Sequence, residues 1–234
     1  MAKFGIIGGS GSPVLARLVQ THETVVHTPY GNPSSPLIYG VLGEHEVIFL
    51  FRRGVGDKPI APHLINYRAN LWALREAGVD TMIVTAAVVS LQPTLAIGHW
   101  VLPHQLIDHT YGRDSTFFGD DHLSFEEPYH EPLRQKIKAV AKKIGFTLHS
   151  SGTYGVMQGP RFETKAEIQA LRQEGCDILG MTGMPETVLA KELSIAYACL
   201  AFIAAQISNT GTREVGQPDQ EKGVQLIEET ILSY

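Results

Sequence analysis

Two glycine-containing turns follow apolar runs and carry side chains that could hold an anion. "IIGGSGSP" at residues 6–13 contains Ser10, and "FLFRRGVGD" at residues 49–57 contains Arg52 and Arg53. Backbone N–H groups and a hydroxyl can bind an oxyanion in the first turn, and guanidinium groups pair bidentately with phosphate in the second. The first turn lacks the lysine of GxxxxGK[ST] and the full GxGxxG pattern, so a plain tight turn stays open as its alternative.

A third stretch, "YGVMQGPRFETKAEI" at residues 154–168, passes from a strand-like run into a charged helical pattern. Between the two lies the constrained turn Gly159-Pro160-Arg161-Phe162. An aromatic ring held on such a turn can present its flat face to a ligand, or it can fill space in the core. The sequence therefore raises both roles for Phe162.

Short β-rich runs alternate with helical patterns along the chain. This alternation predicts a mostly parallel α/β layout, which would position the turns. Gly78, Gly145 and Gly175 follow three helical patterns, where a left-handed helix C-cap is expected. The simplest interpretation is one α/β domain over residues 1–234. Strands are predicted at "KFGIIGG", "EVIFLFR", "TMIVTAAVV", "HWVLPHQLID" and "IAYACLAFIAA", and helices at "INYRANLWALREAG", "EPLRQKIKAVAKKIG", "TKAEIQALRQEG" and "PETVLAKEL".

Composition limits the classes of function. The 234 residues are 44% hydrophobic, which suffices for a well-filled core, and the net charge of −5 with an isoelectric point near 6.0 argues against a nucleic-acid-binding surface. We expect small-molecule ligands instead. The sequence shows neither a signal-peptide pattern nor an apolar run near the roughly 20 residues of a membrane span, so we expect a cytoplasmic protein. Cys176 and Cys199 lie in apolar contexts without metal-ligand spacing and are predicted to be reduced core residues.

The stretch from Tyr111 to Tyr129 is rich in Asp, Phe and Gly. We interpret it as a long loop that carries function rather than as a domain boundary, because long ordered loops in compact domains are usually functional.

Five segments together resemble the trimeric purine nucleoside phosphorylase and methylthioadenosine phosphorylase family. The resemblance covers nearly the whole chain, and the nearest similarity is to the bacterial methylthioinosine phosphorylase branch. It implies a central mixed, partly barrel-like sheet flanked by helices, a homotrimer, and inorganic phosphate as co-substrate with no metal or other cofactor. The segments are "GGSG", "RRG", "INYRANLWALREAG", "GTYGVMQGPRFETKAEI" and "ILGMTGMPETVLAKEL", of which "GPRFET" with "GMTGMPE" is the most specific combination.

The resemblance implies a role for each matching residue. Phe162 stacks on the purine, Met181 packs against the ribose, and Thr182 donates to phosphate. Arg161 braces the turn and Glu186 is structural. The loop "DDHLSFEEP" resembles the one in which a histidine reaches the ribose pocket of a neighbouring subunit, and His122 takes that place. As a lone loop histidine, His122 could equally be an ordinary polar residue.

For the anion, the resemblance implies a site of Ser10, Arg52, the backbone of Ala87, and Thr182. Here the sequence departs from the family pattern. Arg53 replaces a histidine, Ala86 stands in the place of a phosphate-binding Thr or Asn, and Val88-Val89 replaces a glycine-rich region. The loss of one donor to a charged partner costs about 1–3 kcal/mol. We expect Arg53 to replace the lost donors.

The purine site departs as well. The base-reading Asp or Asn of the family falls on Ala205, and the second reader falls on Ile207. Neither side chain can form a hydrogen bond. Gln206 or Asn209 could substitute if the backbone shifts.

Two hypotheses of different classes follow. In the first, the protein is a nucleoside phosphorylase, a pentosyltransferase that cleaves 5′-methylthioinosine or a related 6-oxopurine nucleoside with phosphate; no side chain is assigned as its catalytic residue. In the second, it has the family fold with eroded phosphate and base sites, and it binds nucleosides, regulates, or acts on an unusual substrate. Overall resemblance favours the first, and the changes at Arg53, Ala86, Val89 and Ala205 favour the second.

Overall fold

A mixed sheet of twelve strands runs through the part of the chain that this computed structural model describes, which is residues 3–9, 13–119, 122–217 and 220–234. The strands are β1 (Lys3–Gly8), β2 (Val19–Thr24), β3 (Leu37–Leu42), β4 (His45–Phe51), β5 (Thr81–Ser90), β6 (Trp100–Val101), β7 (Gln105–His109), β8 (Leu148–His149), β9 (Thr153–Met157), β10 (Ile178–Gly180), β11 (Ala196–Ile207) and β12 (Arg213–Val215). The helices are α1 (Tyr67–Glu76), α2 (Glu131–Lys143), α3 (Lys165–Gln173), α4 (Glu186–Glu192) and α5 (Glu221–Leu232), with 3-10 turns at Pro13–Arg17 and Pro62–Leu64.

The sheet forks at β5. Its main path has the order β2-β3-β4-β1-β5-β10-β9-β7, while β11 lies on the other side of β5 and carries β12 and β6, and β8 adds to β6. The first half of β5 pairs with β1, its last two residues pair with β10, and β11 runs beside it over nearly its whole length. Strands β1, β4, β5 and β11 are parallel, so their carboxyl ends meet at one edge. Ligands bind at this edge in open α/β sheets.

Helices cover both faces of the sheet, because successive side chains of the central strands point to opposite faces and both faces are apolar. On β5, Met82 and Val84 join a core cluster with apolar residues of α1 and α4, whereas Ile83 joins a second cluster with residues of α2 and α5. Burial of Ile168 and Leu171 docks α3 on a third, smaller cluster. The central strands are thereby covered on both sides, which makes their carboxyl edge the accessible part.

The mixed α/β architecture predicted from the sequence is confirmed in its helices and central strands. Gly78, Gly145 and Gly175 have φ values of 90°, 67° and 91°, as expected for left-handed C-caps. The prediction of one strand over "HWVLPHQLID" is wrong: β6 pairs with β11 and β8, and β7 pairs with β9. Pro103 lies between them, where its missing N–H and fixed φ interrupt a continuous strand.

Both cysteines are buried and free, as predicted. In the described ranges, no helix has the length and apolar character needed to cross a membrane.

Candidate functional site

A cleft of about 340 Å³ opens at the shared carboxyl edge of the central strands. It brings together six of the predicted site residues, which come from four separate segments. They are Arg52 and Arg53 after β4, Ala87 on β5, Phe162 on the turn before α3, and Met181 and Thr182 after β10.

Arg52 is the most constrained charged group of the cleft. Its Nε and Nη2 donate to the two carboxylate oxygens of Glu186 at 2.6 and 2.9 Å, and its Nη1 donates to the Thr85 carbonyl at 2.8 Å. Burial would lower the pKa of Arg52, but the charge and hydrogen bonds of Glu186 raise it above its ordinary range. The guanidinium is therefore a fixed positive charge. Three of its five N–H groups are used, which leaves two for a ligand.

Glu186, predicted to be structural, is fully buried at the start of α4. The Tyr197 hydroxyl donates to its Oε1 at 2.8 Å, so the carboxylate accepts hydrogen bonds from both Arg52 and β11. In addition, the backbone N–H of Arg52 donates to the Gly8 carbonyl at 2.9 Å, which ties the ends of β1 and β4 together. The cation is thus held by several elements at once.

Arg53 points a second positive charge at the same end of the cleft. Its Nε donates to the Ile60 carbonyl at 2.8 Å, and within the described residues its Nη1 and Nη2 have no hydrogen-bond partner. These two groups are free to donate to an anion. Arg53 is thus positioned to compensate for Ala86, which lines the cleft without a polar side-chain atom.

Val89 also lines the cleft, and its strand continues regularly through Ser90. Its φ is not positive, so this β-branched residue adopts an ordinary extended backbone. The replacement of the glycine-rich region by valine therefore causes no backbone strain at this position. What the valine changes is the shape of the wall, because its side chain narrows the cleft.

The turn that carries Phe162 is braced as the sequence predicts. Arg161 donates to both carboxylate oxygens of Glu167, at 2.8 and 2.6 Å, and Glu167 also closes a capping box with Thr164 at the start of α3. The hydrogen bonds from Arg161 contribute most to lowering the pKa of Glu167 to about 2. Phe162 itself is 63% exposed, so it does not fill core space and its ring is available to a ligand.

Arg113 is a positioning residue that the sequence did not reveal. Its Nη1 donates to the Met181 carbonyl at 2.9 Å, and its Nη2 donates to the Gln158 carbonyl at 2.7 Å. It lies on the predicted long loop, whose described parts, residues 111–119 and 122–129, contain neither helix nor strand. One guanidinium therefore joins the loop, the segment before the Phe162 turn, and the segment that carries Met181 and Thr182.

Of the predicted site residues that the structure describes, three do not line the cleft of the single chain. Ala205 is buried in β11, and Ile207 packs in the small cluster beneath α3. His122 is exposed on the loop outside the cleft, and Ser10 lies outside the described residues. Strand β11 continues through both positions, and Ala205 pairs with Val215 of β12.

The substitutes considered for these positions do not line the cleft either. Gln206 donates to the Gln92 carbonyl at 3.0 Å, and Asn209 is exposed in the turn after β11. The cleft is also lined by two residues that sequence reasoning missed, Glu163 and Arg213.

Glu163 and Arg213 form an ion pair beside the ring of Phe162. Arg213 Nη2 donates to Glu163 Oε2 at 2.8 Å, and the guanidinium carbon lies 4.0 Å from the Phe162 ring centroid. The Glu163 side chain is 5% exposed and that of Arg213 is 19% exposed. Glu163 belongs to the "GPRFET" motif, and "SNTGTREV" has the glycine turn of a hairpin, which was the available signal for β12.

Comparison with known proteins decides the family. A family profile described as "Phosphorylase superfamily" matches residues 3–231 of this chain. The chain belongs to the phosphorylase superfamily.

Relatives of this superfamily member are named for closely related enzymes. It is 41% identical to a probable S-methyl-5′-thioinosine phosphorylase of Pseudomonas syringae pv. tomato, over 96% of this chain and 93% of the relative. It is 42% identical to the 6-oxopurine nucleoside phosphorylase of Pyrococcus furiosus, over 87% and 79% respectively. A crystal structure of a double mutant of adenosine/methylthioadenosine phosphorylase from Schistosoma mansoni in complex with adenine matches with a TM-score of 0.89 at 31% identity, covering 99% of this chain and 90% of that one.

These comparisons confirm the predicted family and fold class. Among the described residues, the structure contains no cluster of three or more His, Cys, Asp or Glu side chains that could hold a metal ion. The expectation that phosphate is the co-substrate, with no further cofactor, stays a prediction.

Replacing Glu186 with Gln should lower the free energy of unfolding by about 3–5 kcal/mol, because it leaves the Arg52 charge buried without its counter-ion. Urea unfolding followed by circular dichroism measures the difference. The matched control is Glu76→Gln on the exposed face of α1, for which a change within about 0.5 kcal/mol is expected. An equally small effect at Glu186 would show that the pair does not support the fold.

Proposed function

We propose that this protein is a purine nucleoside phosphorylase that cleaves the N-glycosidic bond of 5′-methylthioinosine or a related 6-oxopurine nucleoside with inorganic phosphate. The products are the free 6-oxopurine base and the 1-phosphate of the (5-methylthio)ribose. The observation that carries the proposal is a single cleft with guanidinium groups at one end and an exposed aromatic ring beside a carboxylate at the other. Relatives named as methylthioinosine and 6-oxopurine nucleoside phosphorylases support it.

The phosphate end is assigned to Arg52, Arg53, Ala87 and Thr182. Arg52 offers its two unused N–H groups, and Arg53 offers its terminal ones. Ala87 contributes its backbone and Thr182 its hydroxyl. Charge supplies most of the attraction for phosphate, and fixed guanidinium forks supply its orientation. Ser10 completes the proposed set.

The choice of a 6-oxopurine rests on Glu163. Its Oε1 has no hydrogen-bond partner among the described residues, and the carboxylate lies directly after Phe162 on the turn. A 6-oxopurine carries an N1–H donor that a carboxylate accepts. Adenine presents a lone pair at N1, which a carboxylate repels. A mismatch of this kind leaves buried polar groups unpaired and gives large discrimination between substrates.

The chemistry proposed for the cleft is electrostatic. As the C1′–N9 bond breaks, its electron pair moves onto the base, the sugar becomes an oxocarbenium-like cation, and a phosphate oxygen forms the new bond to C1′. The protein stabilises this transition state by holding the anion against one face of the sugar and by accommodating charge on the leaving base. Phe162 stacks on the purine and Met181 packs against the ribose.

The second candidate is a nucleoside-binding protein without phosphorolysis. It is favoured by Ala86 and Ala205, which offer no side-chain donor at the two ends of the proposed reaction, and by Ile207, which lies in the core. In this candidate the stacking and ribose contacts remain while phosphate binding is weak. Base release in the presence of phosphate separates the two.

The proposal includes assembly as a homotrimer in which His122 reaches the ribose pocket of a neighbouring subunit. The exposure of His122 on the loop outside its own cleft is compatible with this role. Sedimentation at micromolar concentration measures the assembly state. The cytoplasmic location expected from the sequence also stays a prediction.

Methylthioinosine and inosine should release free base only when phosphate is present, and adenosine and methylthioadenosine should be poor substrates because of Glu163. The protein is incubated with each nucleoside, with and without phosphate, and base release is followed by chromatography. Nucleoside binding without turnover would instead support the binding-protein candidate. Release of base that does not depend on phosphate would show that water acts as the nucleophile.

Replacing Arg53 with Met should raise the KM for phosphate about 10- to 100-fold, because one charged hydrogen-bonding group contributes about 1.5–3 kcal/mol. The KM for the nucleoside should change little, since Arg53 lies at the phosphate end. Arg53→Lys keeps the charge without the planar fork and should give an intermediate value. Initial rates at varied phosphate provide the measurement, and an unchanged phosphate KM would remove Arg53 from the site.

Replacing Glu163 with Gln should lower kcat/KM for inosine about 10- to 100-fold and leave that for adenosine unchanged or higher, because the amide no longer repels N1 of adenine. The ratio of the two kcat/KM values is the readout. Glu214→Gln, an exposed position on β12, serves as the control and should keep the wild-type ratio. An equal fall for both nucleosides would mean that Glu163 only supports the turn.

A further inference from the structure

The region around Phe162 contains a cation that nothing in the phosphate chemistry uses. We propose that Arg213 stabilises the negative charge that develops on the leaving purine, by donating N–H groups to the O6 and N7 edge of the base. This inference rests on the proposed phosphorolysis and names the group that replaces the missing Asp or Asn. It assigns a catalytic residue to a strand that the sequence did not predict.

The position of Arg213 follows from the end of β11. After Ile207 the chain turns through Ser208–Thr212, where the Gly211 N–H donates to the Ser208 carbonyl at 3.0 Å and Gly211 has a φ of 79°. It then returns as β12, with Arg213 paired to Ile207 in antiparallel register. The hairpin therefore places a guanidinium next to the position where the second base reader was expected.

Two contacts hold the guanidinium in the cleft. Nη2 donates to Glu163 at 2.8 Å, and the face of Phe162 lies under the guanidinium carbon at 4.0 Å. In the described part of the chain, Nε and Nη1 have no hydrogen-bond partner, and Arg213 lines the cleft. The guanidinium thus covers one face of the Phe162 ring and still has donors to give to the edge of a purine that enters the cleft beside it.

The pair of Arg213 and Glu163 matches the edge of a 6-oxopurine. That edge presents O6, an acceptor, directly beside N1–H, a donor. Arg213 donates and Glu163 accepts, so the two side chains can meet both atoms at once. The corresponding edge of adenine has the opposite order of donor and acceptor and mismatches both side chains.

The electron balance places negative charge on the departing base, which a nearby cation stabilises. When C1′–N9 breaks, the base receives the bonding pair and leaves as an anion, with charge delocalised toward N7 and O6. Arginine keeps its proton in proteins, so Arg213 stabilises this anion electrostatically without transferring a proton to it. The released base takes its proton from water. Arg213 also offsets the charge of Glu163, which would otherwise oppose an anion beside it.

The other two arginines of the cleft serve its opposite end. Strand order places β4, which precedes Arg52 and Arg53, two strands away from β5 on one side, and β12 two strands away on the other side. The strand order thus brings Arg213 to the cleft from the side of β5 opposite to Arg52 and Arg53. Arg213 is therefore the cation at the base end, while Arg52 and Arg53 remain with phosphate.

The test compares inosine with its N7-methylated derivative. In 7-methylinosine the purine already carries a positive charge, so it leaves as a neutral base and needs no stabilisation of an anion. Arg213→Met should lower kcat for inosine about 10²- to 10³-fold, the size of effect seen when one donor to a developing charge is removed. It should change kcat for 7-methylinosine less than about fivefold, which is far below that charge effect.

Further arms separate a chemical role from a structural one. Arg213→Lys keeps a cation and should recover part of the rate with inosine. The ratio of wild-type to Arg213→Met rates should not vary with pH between 6 and 8, because arginine does not titrate there. Arg75→Met on the exposed part of α1 is the matched control and should leave both substrates unaffected. Circular dichroism and thermal unfolding establish that the variants are folded.

The outcomes are distinguishable. Equal losses for inosine and 7-methylinosine, or no loss for either, would overturn the role of Arg213 while the proposed phosphorolysis stands. Absence of phosphate-dependent turnover in the wild-type protein would overturn the proposed function itself. Selective loss with inosine, with partial recovery by lysine, is the result expected from the geometry.

Discussion

The buried ion pair between Arg52 and Glu186 is the interaction on which the arrangement of the site depends. It joins the residue after β4 to the first residue of α4, and through Thr85 and Tyr197 it also reaches β5 and β11. An ion pair at this depth gains little net stability over apolar packing, since both ions lose their water. The pair instead fixes the orientation of the Arg52 guanidinium, because the hydrogen bonds to Glu186 and Thr85 form together in only one orientation. In that orientation two N–H groups are not used by the protein.

The fork of the sheet at β5 separates the two ends of the cleft. Because β1 and β4 lie on one side of β5 and β11 and β12 on the other, Arg52 and Arg53 reach the cleft from one side of β5 and Arg213 reaches it from the other. The Phe162 turn and the segment of Met181 and Thr182 lie between them. Arg113 joins these two segments through the carbonyl groups of Met181 and Gln158, so one side chain from the long loop positions both of them.

The departures from the family pattern at Ala205 and Ile207 share one structural cause, the continuation of β11. In a β11 strand that continues to Ile207, Ala205 is buried and Ile207 packs in the small cluster beneath α3, so neither side chain lines the cleft. The same continuation creates the hairpin that brings in Arg213. The pair of Glu163 and Arg213 then supplies an acceptor and a donor where a single Asp or Asn was expected. A position-by-position comparison with the family pattern shows only the missing Asp or Asn, since Arg213 lies on a different strand, β12.

Much of the protein was determined by the sequence itself. Apolar periodicity predicted the central strands and the first four helices, glycines marked helix ends, and the motifs "GPRFET" and "GMTGMPE" identified the family and placed Phe162, Met181 and Thr182 in one site. These features are local, because turn chemistry and periodicity depend on neighbours in the chain. The tertiary structure decided the partners: Arg52 with Glu186, Arg113 with the carbonyls of two distant segments, and Arg213 with Glu163 and Phe162. Such long-range pairs follow from strand order and register, which no local pattern specifies, and they decide where each arginine lies in the cleft and which of its N–H groups the protein itself uses.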